Sequence, residues 1–247
     1  MKRVITIALI ITSLAVPAVW AGRTAESVMQ EVDAQRGPET ARSRMTMRIY
    51  NSLDGDTHDR EVRLLSYGRG VTDSLIEFVS PRSIAGLRVL DLDGAVRVFF
   101  PSTGRVRNIG GAGRRGSVGG VGGDFSYEDM GGSGFMNDYE RFQMEEEDQS
   151  RWVISAVPRD PDSQYSHLVF HVNKENHVPV RIDYFENDTQ VKRLEASRIQ
   201  EISGRNVATH LVMFNMKDDS RTEIRMHDVE WDVNLSADLF HPNRFHR

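Results

Sequence analysis

The residues that could carry out chemistry are few, and their types and spacing argue against catalysis. The sequence has no cysteine among its 247 residues, which excludes thiol catalysis, zinc–thiolate sites and disulfides. It contains neither the Gly-x-Ser-x-Gly turn of a serine nucleophile nor a His-Glu-x-x-His zinc helix. Acidic pairs such as Glu128 and Asp129 are too common to assign a role. We therefore predict no enzymatic activity, while a hydrolase whose carboxylates are assembled only by the fold stays open as an alternative.

Two histidines and one glycine-rich run are the remaining candidates for ligand chemistry. His167 and His171 share a face of a predicted strand, but four residues of extended chain separate them by more than two ligands of one metal ion can span. Residues 111–116 match the letters of the dinucleotide-binding motif, yet further glycine follows where that motif requires a helix. We therefore predict no metal, no cofactor and no bound nucleotide.

One basic stretch stands out in an acidic protein. The formal net charge is −5, which argues against nucleic acid as a partner. Four arginines lie within eleven residues, where they could contact lipid headgroups or an acidic partner, or could simply keep a loop soluble. The candidates for this contact are Arg105, Arg107, Arg114 and Arg115.

The N-terminus is typical of a cleavable secretory signal. Lys2 and Arg3 precede an apolar run over residues 4–16 and a small-residue cleavage site that ends at Ala21. The run of about thirteen residues is shorter than the roughly twenty that a membrane-spanning helix needs, and no cysteine follows it for lipid attachment. We expect residues 1–21 to be removed and residues 22–247 to form one soluble domain outside the cytoplasmic membrane. An uncleaved N-terminal anchor is the alternative.

The elements that must position these residues are one helix and a series of strands. Thr24 begins a helical pattern over residues 24–36, which Gly37 and Pro38 end. The glycine-rich residues 110–123 contain almost no apolar side chains and predict a mobile loop without a packed element of its own, and the acidic residues 145–148 predict a solvated turn. Alternation of apolar and polar residues predicts strands over residues 44–49, 61–64, 74–79, 87–92, 95–100, 151–157, 166–172, 180–186, 191–202, 206–216 and 221–229.

Because these strands follow one another without helices of crossover length, the fold class is mainly β, with a single curled antiparallel sheet of about eleven strands. A curled sheet covered by only a few helices leaves an apolar hollow on its inner face. A dry core sealed by the first helix is the alternative. The residues predicted to face this hollow and to bind lipid are Met45, Met47, Ile49, Val62, Leu64, Ile76, Phe78, Val89, Val96, Val98 and Phe100.

Two ordered motifs resemble a known family. The segment FFPSTGRVRNI over residues 99–109 leads through the glycine-rich loop into GDFSYEDM over residues 123–130. These segments resemble the patterns lyLPalgrvRrI and gsDFSYeDl of outer-membrane lipoprotein-sorting proteins of the LolA-like superfamily. Residues 78–87 also resemble that family's f..P..ikGt pattern. The glycine richness of residues 110–123 departs from the family. The motif residues carried over are Asp124, Phe125, Tyr127, Glu128 and Asp129.

The resemblance implies an unclosed half-barrel with helices across its concave face as a lid, and a periplasmic carrier that hides the acyl chains of lipids or lipoproteins on the way to the outer membrane. It implies an inner-membrane lipid exporter of the resistance-nodulation-division type and an outer-membrane acceptor as partners. The alternative is a sensor or regulatory subunit that uses the same half-barrel without transport. We also predict that Val98→Glu removes bound lipid and leaves the protein folded.

Overall fold

The structure, a computed structural model, describes residues 23–36, 39–130 and 133–247. The predicted signal at residues 1–21 lies outside these described residues. Within them, no helix is both long enough and apolar enough to cross a membrane.

Helix α1 (Ala25–Arg36) confirms the predicted N-terminal helix. The hydroxyl of Thr24 caps it by accepting a hydrogen bond of 3.1 Å from the backbone N–H of Ser27. Val28, Met29 and Val32 lie on one side of the helix and are almost completely buried. The helix therefore packs its apolar face against the sheet rather than standing apart from it.

Thirteen strands form a single antiparallel sheet whose spatial order is β6-β5-β4-β3-β2-β1-β13-β12-β11-β10-β9-β8-β7. The chain starts at the centre of the sheet, reaches one edge at β6, crosses to the other edge at β7 and returns to the centre at β13. Since β6 and β7 do not pair with each other, the sheet stays unclosed. The strands are β1 (Thr40–Tyr50), β2 (Arg60–Arg69), β3 (Asp73–Ser80), β4 (Arg88–Leu92), β5 (Ala95–Phe100), β6 (Arg105–Ile109), β7 (Tyr139–Glu147), β8 (Arg151–Pro158), β9 (His167–Asn173), β10 (Pro179–Glu186), β11 (Thr189–Ile202), β12 (Arg205–Asn215) and β13 (Ser220–Trp231).

The predicted fold class is confirmed, and the predicted strand count is two short. The two missed strands are the edges β6 and β7. Most of their residues are solvent-exposed, so they lack the apolar alternation by which the other eleven strands were predicted. The acidic residues Glu145, Glu146 and Glu147 belong to β7, and only Asp148 lies in the turn that follows it. The prediction of a turn over residues 145–148 is therefore wrong for three of its four residues.

The segment that joins the two edges, described at residues 110–130 and 133–138, crosses the concave face of the sheet and is called the crossing segment. It contains a 3₁₀ helix at Gly111–Arg115 and two short helices, α2 (Tyr127–Met130) and α3 (Phe135–Asp138). Val118 and Val121 are each only 1% exposed and belong to the main apolar core. The prediction that residues 110–123 carry no packed element is therefore wrong, because two valines between glycines are enough to anchor the segment in the hollow.

A glycine permits this close packing. Gly123 has a φ of +87°, and a Cβ atom there would lie 2.9 Å from the Thr222 hydroxyl oxygen and 3.2 Å from a side-chain carbon of Ile49. No larger residue fits between this segment and strands β1 and β13 without displacing them.

Candidate functional site

The eleven residues predicted to line the hollow all lie in the main apolar core, on the side of the sheet that α1 and the crossing segment cover. Eight of them are buried, and Met45, Ile76 and Phe100 are partly buried. Only Met45 borders the apolar cavity described next. The other ten pack against the protein's own side chains. Val98 has no exposed surface, so Val98→Glu would bury an unpaired carboxylate and we expect it to unfold the protein.

A cavity of about 430 Å³ remains between α1 and the concave face near the start of β1. It exists because the side chains that face inward there are small. Ala41 and Ser43 on β1 and Ser66 and Gly68 on β2 line it, as does Ala196 on β11. Large residues fill the same face further along, such as Met47 beside Val62. The larger apolar side chains of the lining include Val32, Met45, Met130, Phe135, Val178, Ile182, Leu194, Val207, Leu211, Met226, Val229 and Trp231.

Most of this lining comes from strands β10 to β13, which sequence reasoning did not include in the site. The sequence shows only that apolar residues such as Leu194 and Leu211 alternate with polar ones on β11 and β12, and the structure shows that these two are only partly buried. Sequence alone cannot separate such residues from a filled core, because the difference depends on the volume of every side chain opposite them.

A second cavity, of about 520 Å³, adjoins the first. The two share the apolar side chains of Phe135, Ile182, Leu194 and Leu211. The rim of the second cavity is polar and carries charges from the crossing segment and from the β8–β9 loop, including Asp138, Arg114, Arg159 and Asp160. The two cavities therefore lie side by side, one with a mainly apolar lining and one with a charged rim, which matches the two ends of an amphiphile.

The cover over these cavities is tied together by α1. Both carboxylate oxygens of Asp33 accept hydrogen bonds from the start of α3, at 3.0 Å from the Phe135 N–H and 2.8 Å from the Met136 N–H. On the other side of α1, Glu31 lies 2.7 Å from the imidazole of His177 in the β9–β10 turn. Helix α1 therefore links the crossing segment to the half of the sheet that lines the cavities.

The family motif supplies the other anchors of the crossing segment. Asp124 accepts hydrogen bonds from the hydroxyls of Ser220 and Thr222 on β13, and its own N–H donates to Thr222. Phe125 is buried in the core, and the hydroxyl of Tyr127 accepts a 3.1 Å hydrogen bond from the Gly119 N–H. The first half of the motif therefore attaches the segment to the centre of the sheet.

The second half of the motif attaches the segment to the far side of the sheet. Glu128 accepts hydrogen bonds from the Ser163 hydroxyl and the Gln164 N–H in the β8–β9 loop. Asp129 lies 2.8 Å from the ammonium group of Lys192 on β11, and both side chains are nearly buried. Asp129 also accepts a 2.7 Å hydrogen bond from the hydroxyl of Tyr165. Burial and the neighbouring Asp129 carboxylate raise the pKa of Tyr165 far above its ordinary value, so this hydroxyl stays protonated as a donor.

The four predicted contact arginines do not act as one group. Arg105 and Arg107 are exposed on the edge strand β6, and the guanidinium of Arg107 lies 5.3 Å from the ring centre of Phe100. Arg114 pairs with Asp160 at 3.2 Å, and Arg115 donates a 2.8 Å hydrogen bond to the backbone carbonyl of Asp162. Arg114 and Arg115 therefore hold the crossing segment against the β8–β9 loop, and of the four arginines only Arg105 and Arg107 are left facing solvent.

The two histidines lie on the convex face, away from the cavities. His167 stacks on Phe185, and His171 approaches the buried carboxylate of Asp183 at 3.2 Å. Burial alone would raise the pKa of Asp183, but hydrogen bonds from His171, Arg181 and Arg193 outweigh it and hold that pKa well below the ordinary value. In the part of the chain that the structure describes, no three His, Cys, Asp or Glu side chains form a group that could hold a metal ion.

An unclosed antiparallel sheet whose concave face is crossed by short helices defines the LolA-like fold class, and comparison with solved structures confirms the predicted resemblance at the level of the fold. A domain from Vibrio parahaemolyticus assigned to outer membrane lipoprotein sorting superposes with a TM-score of 0.80 at 20% identity, covering 91% of this chain and 98% of its own. A DUF1329 family protein from Desulfovibrio piger gives 0.78 at 22% identity, covering 89% and 96%. A LolA superfamily protein from Nitrosomonas europaea gives 0.73 at 19% identity, covering 90% and 99%.

Sequence comparison then gives the family. A family model whose description reads "Uncharacterized protein" matches residues 70–247, and the chain belongs to that family. No curated protein matches the sequence.

Proposed function

We propose that this protein is a periplasmic carrier that shelters the acyl chains of a lipid or lipoprotein during transport toward the outer membrane, and that it catalyses no reaction. The observation that carries the proposal is the apolar cavity on the concave face, covered by α1 and adjoining a second cavity with a charged rim. The solved structures of the same fold include a domain assigned to lipoprotein sorting. An inner-membrane lipid exporter as donor and an outer-membrane acceptor complete the proposal.

The size of the two cavities suits a lipid with more than one acyl chain. Volumes of about 430 and 520 Å³ each fall within the range of roughly 300–1,000 Å³ that ligand pockets span. Burial of a sixteen-carbon chain at about 0.8 kcal/mol per methylene contributes roughly 12 kcal/mol, against an association cost on the order of 4–15 kcal/mol. One chain would therefore be held weakly, and a cargo with two or more chains tightly.

Blocking the cavity tests the proposal. Ala196 on β11 lines the cavity, and the next residue, Ser197, is exposed and contacts His210 on the convex face. Ala196→Trp places an indole in the cavity, and Ser197→Trp adds the same side chain outside it. We expect protein isolated gently from the periplasm to yield stoichiometric lipid on organic extraction for the wild type and for Ser197→Trp. Extracted lipid should fall about tenfold or more for Ala196→Trp, with an unchanged melting temperature.

Two outcomes would contradict the proposal. Equal lipid yields from folded Ala196→Trp and Ser197→Trp would show that the cavity does not hold the lipid. A lipid-loaded protein that transfers nothing to acceptor vesicles would instead favour the sensor or regulatory subunit, because a sensor binds its ligand without passing it on.

A further inference from the structure

We propose that the outer edge of strand β6 binds an extended acidic segment of a partner protein, which adds to the sheet as a fourteenth strand. Strand β6 is the last strand on its side of the sheet. No backbone hydrogen bond among the described residues reaches its outer side. Such an edge is a template for pairing with another extended chain. This surface lies apart from the cavities, so the inference does not depend on the cargo.

The register identifies the backbone groups that this edge offers. Asp93 and Gly94 form a two-residue turn with positive φ at both positions, and the residues that flank such a turn, Leu92 and Ala95, exchange both backbone hydrogen bonds. Hydrogen-bonded pairs alternate along antiparallel strands, so every second residue of β5 bonds to β4 and the residues between them bond to β6. The bonded pairs across β5 and β6 are therefore Val98 with Arg107 and Phe100 with Arg105. The backbone N–H and C=O groups of Val106 and Asn108 therefore point away from the sheet.

The charge on this edge fits an acidic partner. Residues 81–118 contain seven arginines and only two acidic residues, both aspartates, in a protein whose net charge is −5. Four of these arginines are engaged: Arg88 and Arg97 bond to the C-terminal residues, and Arg114 and Arg115 bond to the β8–β9 loop. Arg82, Arg105 and Arg107 form no ion pair with any described residue and are exposed.

The side-chain pattern of β6 predicts the pattern of the partner strand. Arg105 and Arg107 pair with Phe100 and Val98, which face the concave side, so both arginines lie on that side. Val106 lies between them on the convex side and is 36% exposed. Cross-strand neighbours on the same face interact most strongly. The complementary strand therefore has acidic residues at alternate positions and apolar residues between them.

The opposite edge of the sheet is protected, whereas β6 is not. Strand β7 is interrupted by two irregularities in its pairing with β8, and Arg141 within it has a φ of +55°. Such bulges disturb an edge and disfavour further pairing. Strand β6 pairs with β5 without any shift in register. It is the edge that another strand can join.

The experiment measures binding of a fluorescent heptapeptide of alternating Glu and Val to the purified protein by anisotropy. We expect saturable binding that weakens with salt, and none of a peptide in which Lys replaces Glu. Val106→Pro removes an outward N–H while sparing the bonds to β5, and it should weaken binding about tenfold or more, as should Arg107→Glu. Arg141→Glu on β7 makes the same change in charge and should leave binding intact.

A peptide methylated on the backbone nitrogens that would face β6 should not bind the wild type, which tests strand pairing even if Val106→Pro fails to fold. Equal binding of the Glu and Lys peptides, or of the methylated peptide, would overturn the proposal. So would capture of the wild type by phosphatidylglycerol vesicles together with no binding of the Glu peptide, because the arginines would then serve a membrane surface.

Discussion

The buried ion pair between Asp129 and Lys192 attaches the crossing segment to strand β11. The ammonium and carboxylate groups are 2.8 Å apart, and the Asp129 side chain is 1% exposed. The sequence motif suggested that Asp129 matters, but not why, because Lys192 lies 63 residues away and is an unexpected side chain on an inward-facing position. A distant partner of this kind leaves no local pattern in a sequence.

Removal of one charge should therefore be costly. Asp129→Asn leaves the Lys192 ammonium buried without a counter-charge, and we expect the free energy of unfolding to fall by about 3–5 kcal/mol. The double variant Asp129→Asn with Lys192→Met removes both charges and should be more stable than the single variant. Urea denaturation measures both values. A loss below about 1 kcal/mol for the single variant, the usual value of an exposed pair, would contradict the assignment of a buried pair.

Among the elements, those with a buried face were predictable from the sequence and those without one were not. Helix α1 and the eleven inner strands show apolar periodicity because one face of each is buried. The edge strands β6 and β7 have mostly exposed residues and carry no such pattern. The packing of residues 110–123 was missed for another reason: it rests on Val118, Val121 and the close fit of Gly123 rather than on a repeated apolar spacing.

The fit of the crossing segment can be tested with two glycines that both have a positive φ. Gly123 and Gly104 both have positive φ, but a Cβ atom on Gly123 would collide with Thr222, whereas one on Gly104 would meet nothing within 4 Å. Gly104→Ala should cost only the backbone strain of about 1–2 kcal/mol. Gly123→Ala should cost about 1–3 kcal/mol more, because the tight packing cannot absorb a methyl group.

Chemical denaturation of the two alanine variants gives the comparison. Equal losses of stability would mean that residues 117–127 are not held against β1 and β13 as described. A larger loss for Gly123→Ala, with faster hydrogen exchange in the same segment, would support the packed arrangement.

At the scale of the whole molecule, the path of the chain explains both the cover and the cavity. The sheet begins at its centre and its two edge strands follow one another in the chain, so the segment between them must span the sheet. The burial of Val118 and Val121 in the main core places that segment on the concave face. It fills one end of the hollow, and small side chains leave the other end open. The curled sheet and its apolar inner face followed from sequence patterns. The position of the cavity could not be predicted from the sequence, since the cavity is the space that remains after all inward-facing side chains are packed.

The central claim is that an acyl chain occupies this open space, and Trp231 can report on it. Trp231 lines the cavity and is fixed by a 2.9 Å hydrogen bond from its indole N–H to the carbonyl of Ile202. Trp152 is buried in the core and does not itself line the cavity, although its ring stacks on His177, which does. In a Trp152→Phe variant that lacks residues 1–21, Trp231 is the sole tryptophan. A phospholipid with brominated acyl chains, bound in the cavity, should therefore quench its fluorescence on contact.

The decisive measurement is the titration of delipidated Trp152→Phe protein with that phospholipid. We predict saturable quenching of Trp231, loss of lipid binding in the Ala196→Trp variant when binding is measured by lipid extraction, and weaker quenching of Trp152 in the matched Trp231→Phe variant. Absence of saturable quenching of Trp231, or quenching of Trp152 that exceeds that of Trp231, would contradict the account.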